Sequence, residues 1–282
     1  MTHRAPHTSS SIDRRRFLAG TATVGAVALA GCISTSAGIS NGSKSALYTV
    51  PEDRLLRVAA ENGEVRVLAD DSLDRVKVRS TVASNGLGNP LDSAPVETAV
   101  ENDRYVIHAR AERDGFLGGR VRHDVEVRVP AGVRVDRVET ANGRVHVSGV
   151  AGDVHASSRN GDVAASSVDG VVTLESSNGD VTATATRGVA EARTGNGDVT
   201  AELVALDRDA TLRSGNGDVT VRVDPALAAR VDLSTGNGRV SVRDVTVDAD
   251  VDERRHVRGR IGDGGHRIDA STGNGDVRLE AN

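Results

Sequence analysis

The sequence has almost no aromatic residues: its 282 residues include no Trp, two Tyr and two Phe. Globular cores of this size normally take a large share of their buried area from aromatic side chains. An ordinary globular core is therefore excluded. The chain must bury Val, Ala and Leu in many small, regular steps.

Cysteine is equally scarce, because Cys32 is the only one in the chain. A single cysteine excludes an intrachain disulfide framework, although an exported protein could have used one. If Cys32 carries lipid, as argued below, no thiol remains for catalysis. Stability must therefore come from packing and hydrogen bonding.

A basic surface is also missing. The net charge is −5, and residues 1–31 carry four Arg and one Asp, so their removal would leave −8. Nucleic-acid recognition needs a basic footprint, so no nucleic-acid partner is predicted. Lys44 and Lys77 are the only lysines. Few Lys and many Asp resemble the composition of proteins from salt-loving archaea.

The N-terminus has the layout of an export signal. Arg14, Arg15, Phe17 and Leu18 match the twin-arginine export motif. The apolar segment that follows, residues 17–30, is shorter than the roughly 20 residues that a membrane-spanning helix needs. We therefore predict that residues 1–31 are a signal peptide, exported by the twin-arginine pathway.

A lipobox-like sequence follows the apolar segment, since Leu29-Ala30-Gly31 precedes Cys32. The prediction is cleavage before Cys32, lipid attachment to it, and anchoring to the outer face of the cytoplasmic membrane. Residues 32–46, rich in Ser and Gly, are predicted to form a flexible tether. Residues 47–282 then form one domain.

That domain contains a regular repeat. Glycine recurs every nine residues from Gly143 to Gly197, and Asn precedes every second one. The structural period is therefore eighteen residues, which is typical of a solenoid. The repeated pairs are Asn142-Gly143, Asn160-Gly161, Asn178-Gly179, Asn196-Gly197, Asn216-Gly217 and Asn237-Gly238.

Asn-Gly supplies the positive φ angles that a tight corner requires, and the residues after it alternate apolar and polar as a strand does. The prediction is an all-β fold: a single parallel β-solenoid with coils of about 18 residues. Two irregular insertions are expected, within residues 84–120 and 250–266. The alternative is an antiparallel meander, because Asn-Gly also marks hairpins.

Stacked corners would place the asparagines in a row, where their side chains can hydrogen-bond as a ladder. The sequence ends soon after Val277 to Glu280, which leaves little chain to cover a final coil. Either residues 250–266 fold over that edge or another molecule covers it.

Two segments carry a family resemblance: Asp124 to Pro130, which ends in Val-Pro, and Val138 to Val145, which contains Thr-Ala-Asn-Gly-Arg-Val. Together they resemble a family of uncharacterised β-strand-repeat proteins regarded as adhesins, over about residues 55–280. The resemblance implies a parallel β-solenoid in the cell envelope. It supplies no catalytic residues.

Calcium binding is one alternative function. Asp162, Asp180, Asp198 and Asp218 directly follow corner glycines, and stacked carboxylates can bind Ca²⁺ between coils. The glycine doublet of calcium-binding rolls is missing, however, and Arg144 and Arg239 interrupt the row. The favoured interpretation is a row of solvated corner residues, with no metal.

A polysaccharide-active enzyme is a less favoured alternative, because the charges are scattered and the aromatics that stack on sugars are nearly absent. Six histidines show no metal-ligand spacing: His108, His123, His146, His155, His256 and His266. We predict no catalysis and no cofactor. The expected partners are the membrane, through lipid on Cys32, and an envelope protein or glycan.

Overall fold

The computed structural model describes residues 27–36, 39–85, 89–92, 94–111 and 121–282. All helical or extended structure in these ranges is β-strand, so the all-β class is confirmed. In chain order the strands are β1 (Val27–Ser36), β2 (Ile39–Tyr48), β3 (Leu55–Asn62), β4 (Val65–Ala69), β5 (Val76–Ser84), β6 (Val96–Glu101), β7 (Arg104–Ala109), β8 (Val121–Val129), β9 (Val135–Asn142), β10 (Val145–Ser148), β11 (Val154–Asn160), β12 (Val163–Ser166), β13 (Val171–Asn178), β14 (Val181–Thr184), β15 (Gly188–Asn196), β16 (Val199–Leu203), β17 (Ala210–Asn216), β18 (Val219–Val223), β19 (Ala229–Asn237), β20 (Val240–Arg243), β21 (Asp248–Glu253), β22 (His256–Ile261), β23 (Arg267–Asn274) and β24 (Val277–Ala281). Within these ranges no helix is long and apolar enough to cross a membrane.

The strands form two sheets of twelve. The first sheet has the order β1-β2-β5-β8-β4-β10-β12-β14-β16-β18-β24-β20, and the second sheet the order β21-β22-β19-β23-β17-β15-β13-β11-β9-β3-β7-β6. In the central part, a strand of the second sheet, an Asn-Gly corner and a strand of the first sheet make one rung. Successive rungs pair in parallel, so their corners lie on one line rather than at the tips of antiparallel ribbons.

The corner sequence is constant, but the number of residues between successive corners varies. Asn142, Asn160, Asn178 and Asn196 are paired neighbours eighteen residues apart. The next partner, Asn216, comes after twenty residues. The connection from β16 to β17 takes up the difference, because it is longer than the connection from β14 to β15. The Asn-Gly corner itself is unchanged.

The core lies between the two sheets and consists of small aliphatic side chains. In β13 and β14, Val172, Leu174, Val181 and Ala183 are fully buried, and the residues between them point outward. Full burial of a Val or Leu side chain contributes about 1.5–3 kcal/mol, so stability accumulates rung by rung. The two tyrosines, Tyr48 and Tyr105, are buried in the strands at the N-terminal end of the stack.

The rungs do not follow chain order at the C-terminal end. The last strands, β23 and β24, lie between β17/β18 and β19/β20. Asn216 therefore pairs with Asn274, fifty-eight residues later, and Asn274 pairs with Asn237. The C-terminal rung is interior, so the end of the chain is not the end of the stack.

Asp232, on β19, links the elements around this inserted rung. Its carboxylate lies 3.0 Å from both His256 and Arg258 on β22 and 2.6 Å from Arg267 on β23. Burial raises the pKa of Asp232, but hydrogen bonds from His256 and Arg258 outweigh it and leave that pKa lowered. The ionised carboxylate on β19 thus holds β22 and β23 in place through these contacts.

Antiparallel strands flank the parallel stack, which corrects the prediction of a single parallel solenoid. At the N-terminal end β5 pairs antiparallel with β8, β2 with β5 and β1 with β2 in the first sheet, and β6 pairs antiparallel with β7 at the edge of the second sheet. At the other end β22 pairs with β19 and β21 with β22. A hairpin covers an open strand edge with a single local chain reversal. The predicted insertions, residues 84–120 and 250–266, therefore contain paired strands; residues 112–120 lie outside the described ranges.

The predicted tether also needs correction. Residues 39–46 belong to β2, which pairs with β5 over its full length. Ser, Asn and Gly can form such a strand because the hydrogen bonds come from the backbone and β5 supplies the partner groups. The folded domain therefore begins before residue 47.

Replacement of a corner glycine tests the close stacking. Gly179 has φ of +148°, and an added Cβ would lie 2.5 Å from the carbonyl group of Gly161. Gly179→Ala is expected to lower the free energy of unfolding by about 1–3 kcal/mol. Gly188 is the matched control, since a Cβ there meets Cγ2 of Val171 at 3.6 Å. Denaturant titration should show little change for Gly188→Ala; equal losses for the two variants would contradict the stacking.

Candidate functional site

The corner asparagines form a continuous hydrogen-bonded ladder. Nδ2 of Asn160 donates to Oδ1 of Asn142 at 2.8 Å, and Nδ2 of Asn178 donates to Oδ1 of Asn160 at 3.0 Å. All six predicted members, Asn142, Asn160, Asn178, Asn196, Asn216 and Asn237, belong to it, together with Asn62 and Asn274. Because each amide between the terminal Asn62 and Asn237 both donates and accepts, the ladder fixes the register of the rungs.

The glycines beside these asparagines have the expected backbone in every rung except the one that contains Gly238. Gly143, Gly161, Gly179, Gly197 and Gly217 have φ between +142° and +148°. Gly238 lacks a positive φ, but an added Cβ would still lie 1.9 Å from the carbonyl oxygen of Gly275. The corner therefore excludes a side chain at every predicted position.

A second ladder runs inside the corner, and the repeat analysis did not identify it. The hydroxyl of Ser158 donates to the carbonyl of Gly143 at 2.8 Å, and Ser176 donates to Gly161 at 2.9 Å. Ser or Thr stands two residues before every corner Asn from Asn142 onward. This repeated position is the sequence feature that could have predicted the second ladder, because a buried hydroxyl needs a hydrogen-bond partner within reach.

The aspartates after the corner glycines also align. Oδ1 of Asp180 accepts the backbone N–H of Asp198 at 2.8 Å, and Oδ1 of Asp198 accepts that of Asp218 at 2.8 Å. The row runs Asp162, Asp180, Asp198, Asp218 and Asp276. Each carboxylate thereby satisfies an amide of the next rung.

Arg144 and Arg239, the predicted interruptions, lie at the two ends of this acidic row, and the backbone N–H of Arg239 donates to Oδ1 of Asp276 at 3.0 Å. Nε of Arg144 lies 3.0 Å from Oδ2 of Asp162, and Arg278 reaches Oδ2 of Asp218 at 2.6 Å. The backbone amide of Asp276 and the Arg278 guanidinium lower the pKa of Asp218. In the described part of the chain, no group of three or more His, Cys, Asp or Glu side chains is arranged to hold a metal ion. The geometry indicates that the role of the aspartate row is structural: each carboxylate accepts the backbone N–H of the next rung.

A groove of about 800 Å³ lies on the outer face of the second sheet. It crosses β9, β11, β13, β15 and β17 along the axis of the stack. One wall consists of outward residues at equivalent positions in these strands: Glu139, Ser157, Glu175, Arg193 and Arg213. The groove is therefore a product of the repeat rather than of a single loop.

The floor of this groove is shallow because its side chains are small. Ser177, Gly195 and Gly215 occupy equivalent outward positions next to the corner. A Cβ on Gly195 would lie 2.6 Å from the carbonyl oxygen of Ser177, so the backbone itself forms the surface there. The wall is polar, with Glu175 and Arg193 paired at 2.9 Å. Such an open, polar trough suits an extended polar chain better than a compact apolar ligand.

The six histidines in the described ranges do not converge on a site. His146 lies on the outer face of the first sheet and His155 on that of the second, as their places in adjacent half-coils indicate. His123 is the exception, because it is almost completely buried. Its Nδ1 lies 2.8 Å from the carbonyl of Arg110 and must donate to it, so Nε2 accepts from the hydroxyl of Ser80. Ser80 is also buried, so the pair is closed to a substrate.

The residues predicted for export and anchoring lie mostly outside the described ranges. Arg14, Arg15, Phe17 and Leu18 are not among the described residues, and Cys32 is described by its backbone in β1. There Cys32 pairs with Ser43 of β2. Export and lipid attachment therefore stay predictions from the sequence.

Comparison with known proteins gives a family and several similar folds. A family model described as Toastrack DUF4097 matches residues 38–280. A "putative adhesin" from Bacteroides fragilis is 12% identical, with 85% of this chain and 97% of that chain covered and a TM-score of 0.45. A "putative cell adhesion protein" from Clostridium sporogenes is 10% identical, with 85% of this chain and 100% of that chain covered and a TM-score of 0.34. A "putative lipid binding protein" from Parabacteroides distasonis is 11% identical, with 83% of this chain and 96% of that chain covered and a TM-score of 0.30. No curated protein matches the chain.

Burial of His123 predicts a loss of stability in acid. Burial lowers the pKa of this histidine, whereas the unfolded chain binds a proton below about pH 6.5. The stabilising contribution is therefore complete above that pH and is lost as the pH falls toward the lowered pKa of the folded state. His123→Gln, which cannot titrate, should reduce the stability difference between about pH 7.5 and about pH 5.5 in denaturant titrations.

His146→Gln is the control, since His146 lies on an outer face. If His123→Gln loses as much stability on acidification as the unchanged protein does, the buried neutral histidine is not the cause.

Proposed function

Since the chain belongs to the Toastrack DUF4097 family, whose model matches residues 38–280, we propose that it is a lipid-anchored β-solenoid that acts as an adhesin-like interaction module on the cell surface. It does so without catalysis. The twin-arginine pathway exports it, and lipid on Cys32 holds it at the outer face of the cytoplasmic membrane. Its ligand is an envelope protein or a glycan.

The groove on the second sheet is the observation that carries this proposal. It extends over five strands and presents backbone, hydroxyl and charged groups along its length. Adjacent strands are about 4.8 Å apart, so a polar polymer lying along the axis meets one residue at an equivalent position of each rung, and the type of that residue changes from Glu and Ser to Arg along the groove. A surface that repeats in this way favours binding of an extended chain over chemistry at one point.

The proposal of no catalysis rests on how the polar side chains are arranged. The outward charges form pairs along and between strands, such as Glu175 with Arg193 and Arg222 with Glu280. The buried Ser80–His123 pair is enclosed by the fold. Neither arrangement places an acid, a base and a nucleophile around an accessible reacting atom.

Blocking the groove tests the interaction role. Ser177 is exposed in the groove, and Ser177→Trp should fill it. The control is Thr182→Trp, which places the same side chain on the outer face of the first sheet. Binding of the full chain to whole cells, glycans and envelope proteins is expected to fall at least about tenfold for Ser177→Trp and to be unchanged for Thr182→Trp.

Binding that neither variant affects would contradict the groove as the site, and absence of binding to all three would indicate a passive scaffold. Turnover of an acidic polysaccharide would contradict the non-catalytic assignment. The anchor is tested separately: the mass of the exported protein should include lipid, and Cys32→Ser should release the protein into the medium.

A further inference from the structure

The outer face of the first sheet carries an unusual pair of cations at its N-terminal end. Lys77 and Arg79 lie on β5 and alternate with the buried Val76, Val78 and Ser80, so both point outward. Their cross-strand partners on β2 are Leu47 and Ser45, and on β8 Arg128 and Glu126. Directly paired residues share a face, which places these side chains on one surface.

These two cations differ from the neighbouring arginines on this face because neither forms an ion pair: Glu126, the acid opposite Arg79, pairs with Arg128 instead. On the same face Arg66 pairs with Glu64 and Arg122 with Asp124, at 2.8 and 2.9 Å. Lys77 and Arg79 form no ion pair with any residue in the described ranges. Two unpaired cations on one strand, two residues apart, therefore leave a local positive charge on this part of the face.

A concavity of about 360 Å³ lies between them. Lys77, Arg79 and Arg128 line it with the hydroxyl-bearing Ser43 and Ser45. Glu126 also contributes, but its carboxylate pairs with Arg128 at 2.8 Å. Positive charge and hydroxyl donors around an open hollow match a phosphate-bearing group better than they match a cation or an apolar ligand.

The position of this hollow relative to Cys32 indicates which phosphates it meets. Cys32 pairs with Ser43, and Ser43 pairs with Thr81, two residues from Arg79 on β5. Two strand spacings amount to about 10 Å. A lipid on Cys32 would therefore hold the hollow close to the headgroup layer, where the local concentration of phosphate is high.

We infer that Lys77 and Arg79 form a docking surface for the anionic headgroups of the membrane that carries the anchor. This inference rests on the proposed lipid anchor. Stable attachment takes two signals, such as an acyl group together with basic side chains. The surface also orients the stack, since its N-terminal end then faces the membrane and the groove on the second sheet stays in solution.

The test separates the basic surface from the anchor by using the full chain with Cys32→Ser, which cannot be lipid-modified. Its partition onto phosphatidylcholine vesicles is compared with that onto vesicles with about one third phosphatidylglycerol. The ratio of the two partition coefficients cancels the apolar contribution of residues 1–31, and the four Arg in that segment contribute equally to every variant compared. In that background, Lys77→Gln with Arg79→Gln should lower the ratio by about 30-fold, because each basic residue near an anionic surface strengthens binding several-fold.

The matched control is Arg222→Gln with Arg243→Gln, two cations on the outer face of the same sheet at its far end. This pair should leave the ratio unchanged, and about 1 M salt should abolish the preference for anionic vesicles. Equal partition onto both vesicle types, or equal effects of the two double variants, would overturn the inference. Loss of lipid from the unmodified chain in mass spectra would instead overturn the anchor, so the two failures are distinguishable.

Discussion

The structure depends on how closely successive corners approach each other. A Cβ on Gly143 would lie 1.9 Å from the carbonyl oxygen of Gly63, and one on Gly161 would lie 2.2 Å from that of Gly143. Only glycine fits, and its positive φ turns the chain between the sheets. This approach brings the asparagine side chains to 2.8 Å and the Ser hydroxyls onto the glycine carbonyls. The register of all other side chains follows from the corners.

Fixed register explains how the chain folds almost without aromatic residues. When every rung lies directly over the last, Val, Ala and Leu stack in columns, as where Leu174 lies between Ala156 and Ala192, so small and larger aliphatic side chains fill the interior together. The same alignment produces columns on the outer faces, including the groove on the second sheet. The surface that we propose for binding is thus a consequence of the stacking that stabilises the core.

The repeat predicted much of this arrangement. The spacing of Asn160, Asn178 and Asn196 located the corners, and alternation after each corner located the buried valines. Sequence reasoning missed the hydroxyl ladder, although Ser158 and Ser176 occupy equivalent positions, because Ser is common throughout the chain. It could not foresee that Asn274 lies between Asn216 and Asn237: every corner has nearly the same sequence, so any rung could pair with any other.

The end strands were less predictable for a related reason. Antiparallel strands such as β2 and β21 take their hydrogen bonds from the edge that they cover, and they bury few side chains of their own, so no strong periodic pattern marks them. The N-terminal strands also include Ser- and Gly-rich sequence that resembles a linker. The basic surface at Lys77 and Arg79 depends on β2, β5 and β8 meeting, which only the three-dimensional pairing reveals.

The order of the ladder can be measured directly by NMR of the side-chain amides. The account predicts nuclear Overhauser contacts from the Nδ2 protons of Asn274 to those of both Asn216 and Asn237, together with a contact between Asn160 and Asn178. A direct contact between Asn216 and Asn237, or no contact among the corner asparagines, would contradict the stacked corners on which the fold depends.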